Sequence, residues 1–380
     1  MGGARWGTGP RAPGSVFLGH KLRVARTFQG LGQAELAERL GVGPALLGRL
    51  EASSQVPGLE LVGRLSAELG FAPLFFHTPL AGEPRDEECH APGGQRRHAL
   101  AHAALLADVV AWLDGRVVFP DENLPQDTDG SIEDTAARCR QLWHLAPDLP
   151  IPNLMRVVER AGVVVARARG ADPSAHVGDR PLLVLDAEAA DGGRLDLARL
   201  TGHVVLHRGA DTDSASLAIE AEQFATALLL PRDGLLRELP RARSLDGAVL
   251  ARLAERWKVS LLMLARRAAE LPIANAARYR EIAEHLAASA AARPASTTGD
   301  EAPEVLALAL EELARGRRIG RLEVARRLGW SARIFAEVTG LEAGDNVISL
   351  AAWKATRGGT VAAPSGTTGA QLELDFGRER

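Results

Sequence analysis

Cysteine is nearly absent from this chain of 380 residues. Cys89 and Cys139 are the two it has, and they suggest no disulfide framework, so a reducing compartment, the cytoplasm, is the expectation. Lysine is almost as scarce, occurring only at Lys21, Lys258 and Lys354, which leaves nearly all positive charge to arginine. That bias reflects base composition first and chemistry second. No stretch approaches the roughly 20 apolar residues of a membrane helix. No charged-then-apolar leader opens the chain either, so neither a membrane nor a secreted setting is expected. Phosphate-cradling glycine loops and a nucleophile elbow are missing too, which argues against nucleotide-dependent and serine-hydrolase chemistry.

What is present describes an ordinary globular protein, 46% hydrophobic and 24% charged, with length for two or three domains. The net charge of −3 gives no global nucleic-acid signal. Residues 1–80 differ, with eight Lys/Arg against five Glu. Composition and periodicity divide the chain into seven segments. Residues 1–15 form a Gly/Pro/Arg arm without periodicity, and 16–78 a helical unit. A linker at 79–96 precedes a larger unit at 97–287. A second linker, 288–303, leads to a small helical unit at 304–356 and a Gly/Thr/Ala-rich tail at 357–380. Short apolar runs at Val163–Val165 and Leu182–Leu185 are the strand candidates. The expected fold is multidomain and mainly α.

Within 16–78, two helices meet across Gly41-Val42-Gly43, the arrangement in which a second helix enters the major groove. The run Gln33-Ala34-Glu35-Leu36-Ala37-Glu38-Arg39-Leu40-Gly41-Val42, with Arg49-Leu50-Glu51 and Val56-Pro57, resembles the Cro/repressor-type helix-turn-helix of the XRE family. That resemblance implies a DNA-binding bundle, a phosphate contact for Gln33, and a homodimer on paired half-sites. The base-reading positions would be Gly43, Pro44, Ala45 and Leu46, with Arg49 nearby. None of the first four can make a bidentate hydrogen bond to a base, so readout should be weak. A bundle that only packs or dimerises is the alternative.

Residues 193–207 keep the end of a zinc signature, H-E-x-x-H, whose two histidines bind metal and whose glutamate activates water. Thr201-Gly202-His203 survive, but Arg199 stands at the first His position and Leu200 at the Glu position. Further matches are Gly162-Val163-Val164-Val165, Arg180-Pro181-Leu182-Leu183-Val184-Leu185, Glu220-Ala221 with Phe224-Ala225, and Leu228-Leu229-Leu230-Pro231. In this order they resemble the ImmA/IrrE metallopeptidase family, which implies an α+β, zincin-like middle domain. Carried over, the second zinc His falls on His203 and the acidic ligand on Glu220. Arginine cannot become a ligand. It would repel a divalent ion 4 Å away by about 8 kcal/mol at an effective dielectric of 20. Leu200 cannot take a proton from water. No catalytic residue and no cofactor is expected. Zinc on His203, His207 and Glu220 remains the alternative to a buried polar cluster in which Arg199 faces Glu220. Cys89, His90, His98 and His102 are set aside as a solvated group rather than a zinc site.

Towards the C terminus, Glu323-Val324-Ala325-Arg326-Arg327-Leu328-Gly329-Trp330-Ser331 repeats the beat of the first helix-turn-helix. It reads as a second DNA-binding unit or as a dimerisation or sensing module. The tail Gln371-Leu372-Glu373-Leu374-Asp375-Phe376 resembles the hexapeptide that docks on the bacterial sliding clamp, with Gln371, Leu374 and Phe376 as anchors. The alternative is a tail that folds back on the body. The expected function is a DNA-binding transcriptional regulator with a catalytically inactive ImmA/IrrE-like domain for sensing or interaction. The rivals are an active zinc peptidase that cleaves a partner repressor, and an antitoxin-like or clamp-associated interaction protein.

Overall fold

The computed structural model describes residues 16–81, 93–126, 129–168, 174–177, 180–187, 193–207, 215–239, 247–288 and 301–341. The chain is mainly helical, with one three-stranded sheet among these residues. Four helices open it: α1 (Gly19–Phe28), α2 (Gln33–Arg39), α3 (Pro44–Glu51) and α4 (Leu59–Leu69), followed by a 3-10 turn at Pro73–His77. Local chemistry sets their ends. Pro44 occupies the first turn of α3, where its missing N–H costs nothing, and Gly70 closes α4 at φ +77°.

The long helix α5 (Gly93–Leu113) follows, then α6 (Ile132–Leu142), opened by a reciprocal Ser131–Asp134 capping box. After α7 (Leu154–Arg160) come β1 (Val164–Ala168), β2 (Ser174–Val177) and β3 (Arg180–Asp186). Their order is β1-β3-β2, with β1 parallel and β2 antiparallel to β3. Helices α8 (Arg194–Leu206), α9 (Ala215–Leu229), α10 (Arg232–Glu238), α11 (Gly247–Trp257), α12 (Leu261–Glu270) and α13 (Ala276–Ala288) complete the middle region. The last three are α14 (Val305–Arg317), α15 (Arg321–Leu328) and α16 (Ala332–Thr339). Among the described residues no helix is long and apolar enough to cross a membrane.

Two hydrophobic cores share the sheet. Strand side chains alternate between faces, and here the alternation divides the cores. Val164, Ala166, Leu182 and Val184 join the core of α1–α5 and α14–α16, whereas Val163, Val165, Leu183 and Leu185 join the core of α6–α13. The first core therefore reaches across residues 79–96 and gathers the N-terminal bundle, α5 and the C-terminal helices into one apolar body.

Polar ties reinforce that body. Lys21 on α1 and Asp108 on α5 form a buried ion pair, and the Lys21 ammonium lies 4.4 Å from the Phe75 ring centroid. Phe71 and Trp330 form an antiparallel bridge, flanked by Ala72 N–H donating to Gly329 O at 2.7 Å. At the other end of the C-terminal unit, the Glu159 carboxylate accepts from the N–H groups of Glu304 and Val305, each at 3.0 Å. Glu301 is buried against Arg194, whose Nη2 also donates to Ile151 O at 2.7 Å.

Candidate functional site

In the N-terminal bundle, Ala37 and Leu36 are buried under the α2–α3 crossing, and Gly41 takes the left-handed turn at φ +58°. Leu47 and Leu50 bury one face of α3. Gly43, Pro44, Ala45 and Arg49 lie exposed on the other, and Leu46 is half-buried against the core. The Arg49 Nε donates to Gln55 Oε1 at 2.9 Å. Gln33, the first residue of α2, is exposed, yet its Nε2 donates to Glu51 Oε2 at 2.6 Å. Glu51 is itself buried and gripped by Arg26, with Nε to Oε1 at 2.5 Å and Nη2 to Oε2 at 3.0 Å. The Arg26–Glu51 pair, which periodicity had no means to reveal, thus orients Gln33. One amide N–H is used on Glu51; an amide carries a second.

The middle region builds its polar site where α8 crosses α9. Gly202 permits the close approach: a Cβ there would lie 2.9 Å from a Phe224 ring carbon and 3.1 Å from Ala221 O. His203 is buried, and its Nδ1 faces the Nδ1 of His207 at 3.2 Å. The opposite nitrogen of His207, Nε2, meets Glu220 Oε2 at 3.1 Å. A carboxylate only accepts, so His207 carries its proton on Nε2. Its Nδ1 is then the acceptor in the neutral ring, and the Nδ1–H of His203 donates to it. Two contacts thus connect buried His203 through His207 to the half-exposed Glu220.

One turn earlier, Leu200 is fully buried and Arg199 pairs with Asp196, Nη2 to Oδ1 at 3.5 Å. The expectation that Arg199 faces Glu220 is corrected: Asp196, one turn away on the same helix, takes the guanidinium, and His207 takes Glu220.

These residues do not fit the zinc of a peptidase. An ion between the two Nδ1 atoms would have Glu220 on the far side of the His207 ring, out of the same coordination shell. Three converging ligands are the minimum of a catalytic zinc site. Among the described residues no group of three or more His, Cys, Asp or Glu is placed to hold a metal. His98 and His102 lie on α5 beside Phe28, His98 stacked on its ring and His102 tilted to it. His102 is buried and contacts Val338 O at 2.8 Å, so it belongs to the core rather than to a solvated pair. Cys139 is buried in the second core, where loss of solvent pushes its thiol up to about 12. Cys89, His90, the 1–15 arm and the tail anchors Gln371, Leu374 and Phe376 lie outside the described residues.

Residues 18–73 match the family model of a helix-turn-helix domain. Residues 158–269 match that of an IrrE N-terminal-like domain. The chain therefore joins a helix-turn-helix domain to an IrrE-like domain, the pairing that the sequence resemblance implied. No curated protein matches it.

Proposed function

We propose that the chain is a DNA-binding transcriptional regulator whose IrrE-like domain is catalytically silent and serves in sensing or protein contact. The helix-turn-helix match and the exposed face of α3 support DNA binding. The observation that carries the silent reading is the α8 turn itself: a buried leucine and an Asp196-paired arginine stand where water activation and a first ligand are needed. The contacts of His203 with His207 and of His207 with Glu220 run one after the other rather than converging on one point, which supports the same reading. Two copies on half-sites about one helical turn apart would give the weakly reading α3 its affinity.

The test uses the full purified chain. Binding to a mixed-sequence duplex should be strong at low salt and fall by roughly 10³-fold or more between 50 and 200 mM, as phosphate-dominated contacts require. Base preference should be modest. Metal analysis should return no stoichiometric zinc, and a candidate repressor incubated with the protein should stay intact. One equivalent of zinc, lost in His203→Ala, would replace this reading with the active peptidase.

A further inference from the structure

We infer that α15 and α16 form a second helix-turn-helix whose outer face docks on double-stranded DNA. The two units superimpose in sequence at a constant offset of 288 residues, which sets Gly329 on Gly41, Ala325 on Ala37 and Leu328 on Leu40. The backbone follows. Gly329 adopts φ +75° where Gly41 adopts +58°. Trp330 N–H donates to Ala325 O at 2.8 Å, as Val42 N–H donates to Ala37 O at 2.9 Å. Gly329 N–H donates to Arg326 O at 3.0 Å, as Gly41 N–H donates to Glu38 O at 2.9 Å. A side chain at 329 is excluded twice, by the positive φ and by the Phe75 backbone N 3.1 Å from where a Cβ would sit.

Burial repeats the same division of faces. Phe335 and Val338 go into the core as Leu47 and Leu50 do, while Ala332, Arg333 and Glu337 are exposed at the places of Pro44, Ala45 and Arg49. The core-facing side of α16 packs on α5 and β1, so its outer side is the one left for a ligand.

Charge tells the two units apart. Residues 33–51 hold two arginines against three glutamates, whereas 321–339 hold four arginines against two. Arg315, Arg317 and Arg318 immediately precede the second unit with no acid among them. Arg326 and Arg327 share the single carboxylate of Glu323, which leaves one positive charge in surplus. Arg333 reaches Glu337 at 3.0 Å and Gln29 Oε1 at 3.1 Å, both exposed contacts. Exposed pairs of this kind are weak and exchange readily for phosphate. At the position where the first unit presents Ala45, the second presents Arg333, the side chain best suited to grip guanine bidentately. At that position α16 carries the bidentate donor that α3 does not.

The inference rests on the DNA-binding reading only in its choice of duplex as probe. The experiment titrates the full chain, in order of rising salt, against a labelled mixed-sequence duplex. Two variant sets are compared, each checked by circular dichroism for an unchanged fold. One is Arg317→Gln with Arg326→Gln and Arg327→Gln; the other is Arg49→Gln in the first unit. The C-terminal triple variant should lose about tenfold or more in affinity at low salt, and its salt slope should drop by about 0.9 for each phosphate contact removed. A third variant, Arg333→Ala, checked in the same way, should flatten any preference for G-containing sites. Wild-type affinity and slope in the triple variant, with Arg49→Gln impaired, would overturn this inference and leave the regulator reading standing. No binding by the wild-type chain at low salt would overturn both. Unchanged DNA affinity with altered self-association would assign the face to a second copy and likewise end the proposal.

Discussion

At the scale of single residues, charge burial is the feature with the largest energetic consequence. Burial lowers the Lys21 ammonium and raises the Asp108 carboxyl, and each opposes the other's shift. Removing one partner strands the other in an apolar body. Lys21→Met should therefore cost about 3–5 kcal/mol in urea unfolding, and adding Asp108→Leu should restore most of it. A single variant as stable as wild type would show that water already reaches the pair. The site residues were partly legible. His203 and Gly202 stand out because a metal-binding helix leaves a recognisable spacing. Asp196 does not, because its pairing with Arg199 belongs to no motif, and the contact of His207 with Glu220 depends on how α8 crosses α9. Gln33 was assigned to phosphate by resemblance, while its tether to Glu51 depends on a contact between residues 18 apart in sequence.

At the scale of elements, α5 and α16 meet through His102. Burial holds its imidazole down to about 4, from an ordinary 6.5, outweighing the Val338 carbonyl that favours the proton. The groups around it are His98 on its own helix, the Phe28 ring from α1 and the Val338 carbonyl from α16. Between the two pKa values the unfolded chain binds a proton that the folded chain refuses, so stability is full above 6.5 and falls as pH drops towards 4. The loss by pH 5 should be about 2 kcal/mol. Chemical denaturation at pH 8 and pH 5 should show it in the wild type and much less of it in His102→Phe; equal loss in both would place the acid sensitivity elsewhere. Most helices and the strands β1 and β3 were readable from apolar periodicity. Strand β2 was not, since Ser174-Ala175-His176-Val177 carries too little pattern to stand out. Helix α10 was hidden because Pro231, a residue type that ends helices, is here the cap from which α10 starts. Helix α13 was hidden because its Ala/Arg-rich letters merge with the linker composition beyond it.

At the scale of the whole molecule, the sheet is a wall with a different core on each side. Neighbouring residues of β1 should therefore report to different halves. Val164→Ala should lower amide protection mainly in α1, α5 and α16, and Val165→Ala mainly in α7 to α9, as hydrogen exchange would read. Equal loss on both sides for each variant would mean that the cores open together. The same arrangement bears on how such a protein can be inherited. An exchange between genes within residues 79–96 would carry the N-terminal bundle away from Asp108 and from Trp330. A working hybrid would have to bring new partners for Asp108 and Trp330, so the segments on either side of that boundary are not interchangeable pieces.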